Sequence, residues 1–203
     1  MRKIYSLFLI LFAFVSYSAQ ATGIFESYAV LKINGGGNTY YDLQATTGNP
    51  DLNGANLGTF TAGQTLVFIG GENKTWKNGG GDVTGGRIHY RVYTGTPSGS
   101  FSNVSFNWIQ DLGNGDQKWG ATTGTTDVLA GLPNGVYTLE VYTEADTNLG
   151  ARYSNNGGAN YKATFTVSNT LATGENAKKA KSFVSEGKLY TNKQGNLSVQ
   201  VVD

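Results

Sequence analysis

Four stretches of the chain alternate apolar and polar residues with a period of two, the signature of a strand with one buried face. In Arg87 to Tyr93, Ile88, Tyr90 and Val92 share one side, while Arg87, His89, Arg91 and Tyr93 share the other. Val104 to Trp108 groups Val104, Phe106 and Trp108 as core residues. Val136 to Thr143 groups Tyr137, Leu139 and Val141, and Tyr161 to Val167 groups Tyr161, Ala163, Phe165 and Val167. Weaker strands are predicted at Glu26 to Ile33, Thr39 to Leu43, Leu66 to Ile69, Gln117 to Ala121 and Asp127 to Leu129. Asn-Gly, Gly-Gly and Pro-Asn-Gly clusters separate them, residues that accept the positive φ of tight turns. About seven to nine short strands joined this way predict an all-β fold, an antiparallel β-sandwich of immunoglobulin or fibronectin type. Past the first 21 residues no segment has the periodicity of an amphipathic helix.

One turn sharpens the architecture. Leu132-Pro-Asn-Gly-Val-Tyr-Thr-Leu-Glu-Val-Tyr142 places Tyr137 just after a tight turn, where a sandwich buries the ring and bonds the hydroxyl back to the turn backbone. The pattern speaks to architecture and names no ligand.

Residues 1–21 read as an export signal: Arg2 and Lys3, an apolar run from Leu7 to Val15, then Ala19-Gln20-Ala21 as the small-x-small cleavage site. The run is shorter than the ~20 residues that cross a bilayer. The domain is then expected over 22–167, with a linker over 168–187 where alternation gives way to small residues and lysine. In 188–203, Lys188-Leu-Tyr190, a turn at Thr191 to Gly195, and Leu197, Val199 and Val201 form a hairpin pattern. A lone hairpin is marginal in water, so it is expected to belong to a larger unit.

Composition removes several classes of chemistry. With no cysteine among its 203 residues, an exported chain has neither disulfides nor thiol catalysis, and must rest on buried apolar area. Charged residues are 14% of the chain and the formal net charge is +1; without Arg2 and Lys3, thirteen cations face 14 acids. Such a balance leaves no footprint for nucleic acid.

The tail GKLYTNKQGNLSVQVVD resembles the opening strands of the C-terminal sorting domain of type IX secretion cargo in the Bacteroidetes. The resemblance covers about 20 residues and implies a secreted or outer-surface protein handed to that machinery when the sorting domain is complete. Its usual D-x-x-G-K turn and later strands are not among these residues. The block from Tyr40 to Glu144, with Gly70-Gly-Glu-Asn-Lys-Thr-Trp76, Gly115-Asp-Gln-Lys-Trp119 and Gly135-Val-Tyr-Thr-Leu-Glu-Val-Tyr142, is similar to modules of secreted and surface proteins of flavobacteria-like organisms. That likeness implies location without assigning chemistry.

The absence of cysteine removes Cys–His triads, and with His89 the only histidine multi-histidine metal sites are out of reach; no carboxylate partner follows from its local spacing. Glu140 and Glu144 share a strand face with backbones ~13 Å apart, which reads as solubilising charge rather than a glycosidase pair. Loop oxygens at Asp111, Asn114 and Asp116 are the candidate calcium ligands, but they do not fit the twelve-residue calcium loop, and Asx turns explain them without a metal. The glycine-rich stretches precede strands, not helices, which argues against phosphate loops. Trp76, flanked by Lys74 and Lys77, and Trp119, beside Lys118, are expected in loops, where flat rings could stack on sugars. The sequence therefore leads to an exported, non-catalytic interaction module for glycan or another extracellular polymer, with Trp76, Trp119, Lys74 and Lys118 as candidate contacts. A structural spacer or adhesin segment is the alternative, and a hydrolase the third reading.

Overall fold

The computed structural model describes residues 21–169, 188–191 and 197–200; positions 1–20 of the expected export signal, 170–187 of the expected linker, and 192–196 and 201–203 of the expected tail hairpin, with most of its turn and Val201, lie outside the described residues. The strands are β1 (Thr22–Ile33), β2 (Asn38–Asp42), β3 (Asn56–Phe60), β4 (Leu66–Lys77), β5 (Val83–Tyr93), β6 (Ser102–Gly113) and β7 (Asp116–Ala121). They continue with β8 (Thr126–Asp127), β9 (Gly135–Thr147), β10 (Arg152–Ser154), β11 (Tyr161–Val167), β12 (Lys188–Thr191) and β13 (Leu197–Gln200). The class is all-β: among the described residues the helical content is one 3₁₀ turn, Asn156–Gly158.

Eleven strands form one mixed sheet in the order β2-β1-β4-β7-β6-β5-β9-β11-β3, with β10 beside β9 and β8 beside β4. Two separate layers were the expectation; the sheet is instead continuous and curls into a half-barrel. The joint is β6. Its residues 102–106 pair with β5, and its residues 107–113 pair with β7. At the far end β3 runs parallel to β11, a departure from the antiparallel pattern. β12 and β13 pair antiparallel with each other, Leu189 opposite Val199, where the sequence placed a hairpin.

Curling brings the two halves face to face around an apolar interior that includes Leu31, Phe68, Ile88, Leu139 and Phe165. Removing each such side chain from water contributes roughly 1.5–3 kcal/mol before entropy is counted. Phe68 of β4 stacks on Tyr90 of β5 with centroids 4.1 Å apart. The Asn73 side-chain amide crosses the same gap to donate to the Glu144 carbonyl at 3.1 Å. Tyr137 is buried against Phe165, and its hydroxyl donates to the Pro133 carbonyl at 2.8 Å, as the turn motif requires.

One core assignment is corrected. Trp108, grouped by alternation with Phe106, is 54% exposed. It lies just past the point where β6 leaves β5, and a bulge after Trp108 shifts the register against β7. From Asn107 to Gly113 every residue of β6 is exposed.

Candidate functional site

Strand alternation on β4 sorts the expected contact residues. Asn73 and Thr75 are fully buried, whereas Lys74 and Trp76 between and beyond them are half-buried. Across the ladder Lys74 sits opposite Lys118 and Trp76 opposite Asp116, while Asn73 sits opposite Trp119. Cross-strand partners share a face. Trp76, Lys74 and Lys118 therefore stand on one side of the sheet, and Trp119 on the other. Trp119 lies within β7 rather than in a loop, is 9% exposed and belongs to the core. It is a packing residue in the described structure, and the loop setting expected for it is not found.

Both lysines are already paired. Lys74 meets Glu26 at 2.5 Å and Lys118 meets Glu72 at 2.8 Å. Burial alone would raise the Glu26 pKa, but Lys74 and the Tyr28 hydroxyl, at 2.6 Å, hold it below its ordinary value.

Trp76 is placed differently. Its register partner on β1 is Gly23, and the indole lies directly over that glycine: an added Cβ would fall 2.5 Å from the ring nitrogen. Absence of a side chain at Gly23 is what lets the ring lie there. Beside it opens a hollow of ≈ 400 Å³ lined by Trp76, Gln44, Arg152, Tyr153 and Asn155. A second hollow of ≈ 500 Å³, with Phe25, Glu26, Asn156 and Tyr161 in its wall, shares Gln44 with the first. Each volume is of the size that takes a small ligand.

The walls are held from within the fold. The Gln44 amide N–H donates to Ser27 Oγ at 3.2 Å, and its side chain donates to the Ile24 carbonyl at 3.0 Å. Buried Asp42 accepts from the Thr47 amide and hydroxyl, both at 2.9 Å, and from Asn49 at 3.3 Å, which fixes the loop that carries Gln44. Asn155 caps the 3₁₀ turn by accepting from the Gly158 amide at 3.1 Å. Arg152 is anchored by Nε to the Thr22 carbonyl at 3.1 Å. Tyr153 is 52% exposed.

No protein-family model matches the chain, and no curated protein matches its sequence.

The remaining expected residues lie at the β6–β7 turn. Asp111 Oδ1 accepts from the Gly113 amide at 2.8 Å, an Asx turn, and Asn114, with a positive φ of 56°, follows in the connection to β7. Asp116 follows as the first residue of β7. Among the described residues no three histidine, cysteine, aspartate or glutamate side chains gather in a metal-binding group.

The outer face of β5 and β9 carries a cluster that local spacing could not reveal. Arg87 bonds Asp146 at 2.7 Å, His89 Nε2 meets Glu144 at 2.8 Å, and Arg91 bonds Glu140 at 2.9 Å. His89 also stacks on Tyr142 with centroids 4.3 Å apart, and Arg91 lies 4.3 Å over the Phe101 ring. Glu140, expected as solvated charge, is 3% exposed. Its partners come from 49 residues away for Arg91 and 20 for Asn160, so only the ladder brings them together. Burial works to raise its pKa, but the Asn160 and Arg91 hydrogen bonds prevail and hold it low. Each carboxylate here is committed to a cation or ring nitrogen, which makes the cluster a clamp between two strands.

Proposed function

We propose that this chain is an exported, non-catalytic extracellular module that binds glycan or another extracellular polymer at the Trp76 hollow. The observation that carries the reading is the indole of Trp76 lying over Gly23 beside a ≈ 400 Å³ hollow that also presents Gln44, Arg152, Tyr153 and Asn155. An aromatic ring desolvates the apolar face of a sugar, while amide and guanidinium groups replace the water on its hydroxyls. The signal-like segment and the sorting-type tail support export to the cell surface or beyond.

The test is a glycan panel presented to the exported chain and to Trp76→Ala, with melting temperatures measured in parallel. Binding that disappears in the variant while the melting temperature holds supports the reading. A chain that binds nothing on the panel is a spacer or adhesin segment, the second reading, which the exposed Trp108, Ile109 and Leu112 on the β6 ribbon favour.

A further inference from the structure

Arg152 differs from the paired cations of the sheet, and unlike Lys32 and Lys162, which also lack a carboxylate among the described residues, it lines a hollow. Lys74, Lys77, Arg87, Arg91 and Lys118 each hold a carboxylate. Arg152 has no carboxylate partner among the described residues, and its protein bonds are Nε to the Thr22 carbonyl and Nη1 to the Ala151 carbonyl at 3.4 Å. Nη2 has no protein acceptor among those bonds. A guanidinium carries five N–H donors, so part of the fork of Arg152, which lines the hollow, is left unspent. Nearby negative charge does not quench it. Glu26, in the wall of the adjoining hollow, is matched by Lys74 and by the Tyr28 hydroxyl.

We infer that the Trp76 hollow selects an anionic glycan, whose sugar ring stacks on Trp76 and whose carboxylate or sulfate takes the free edge of the Arg152 guanidinium. The inference rests on the glycan reading above and narrows it. A planar fork suits a carboxylate in two parallel hydrogen bonds, and charge-assisted bonds of this kind are about twice as strong as neutral ones. Anchoring through Nε fixes the plane of the fork in advance, so little side-chain freedom is lost on binding. Gln44 and Asn155 supply uncharged partners for hydroxyls along the same wall.

The experiment compares polygalacturonate with its fully methyl-esterified form, and dextran sulfate with dextran, by calorimetry or affinity electrophoresis. Wild type, Trp76→Ala, Arg152→Gln and Arg152→Lys are each checked for unchanged melting. Expected is binding to at least one acidic polymer, about tenfold or more weaker for its neutral counterpart and for Arg152→Gln. Partial recovery in Arg152→Lys, and a decline with added salt, complete the signature. Preference for dextran sulfate with no response to polygalacturonate supports the inference with sulfate as the group. Trp76-dependent binding of esterified or neutral polymer, indifferent to Arg152, overturns the anionic reading and leaves glycan recognition standing. Failure to bind any of the four polymers, or any member of the wider panel, overturns both. Should Arg152→Gln melt early for want of its bond to Thr22, the ester and salt comparisons on the wild-type chain decide the matter alone.

Discussion

Arg91 on β5 and Glu140 on β9 are register partners, and they close a two-pronged contact on one carboxylate oxygen, Nε at 3.0 Å and Nη2 at 2.9 Å. Glu140 is enclosed and Arg91 keeps some solvent, so removing the cation strands a nearly buried charge. Arg91→Met is expected to cost about 2–3 kcal/mol at neutral pH, below the 3–5 of fully enclosed pairs. Urea unfolding of the single variants and of Arg91→Met with Glu140→Gln checks this: the double variant should recover part of the loss.

The same pair sets an acid dependence. Glu140 is held below its ordinary value of 4.5 in the folded chain, so its contribution is whole above that pH and is lost as pH falls through the lowered native value. Glu26 acts in the same direction. Unfolding midpoints of the wild type should therefore stay level at neutral pH and decline below 4.5. In Arg91→Met that decline should shrink, because burial, which raises the pKa, is then opposed by the Asn160 hydrogen bond without the help of the Arg91 cation.

The two tryptophans of the β6–β7 ribbon should respond in opposite ways. Trp119→Ala removes a core ring and is expected to cost about 3–5 kcal/mol, whereas Trp108→Ala should stay within about 0.5 kcal/mol. Chemical denaturation of the two variants side by side is the measurement.

Gly23 makes a sharper test of the site. In Gly23→Ala the new methyl would sit 2.5 to 2.9 Å from three atoms of the Trp76 ring, so the indole must move. The expected result is a shifted tryptophan emission and loss of polymer binding with a smaller change in melting than for Trp119→Ala.

Tyr137→Phe deletes the bond to Pro133 while keeping the ring against Phe165. Because the Pro133 carbonyl sits in an exposed turn where water can replace the donor, the loss should be about 1 kcal/mol, or roughly 2–4 °C in melting temperature.

Much of the fold was legible because alternation is local. Ile88, Tyr90, Leu139, Val141, Ala163 and Phe165 reach the interior as their spacing predicts, and Tyr137 forms its corner. β3 and β10 were missed: each is too short, and β3 too rich in Asn and Gly, to show a period. Trp108 misled because alternation reports two faces without saying whether anything lies opposite. Of the site, Trp76 was readable as a candidate aromatic, but the loop expected for it is strand β4, and its neighbours arrive from positions 23, 44 and 152, on separate parts of the chain. His89 with Glu144 was likewise hidden, since 55 residues separate them.

The division of β6 between the two halves bears on how this protein comes apart. Because β6 runs from one half into the other and both halves close on one apolar interior, unfolding should be all-or-none, with one transition seen alike by tryptophan emission and by backbone circular dichroism. Since pairings such as Thr22 with Lys77 and Val83 with Thr147 close loops of many residues, assembly should take milliseconds to seconds. A nick between Phe106 and Asn107 would strike the one strand that cannot be spared.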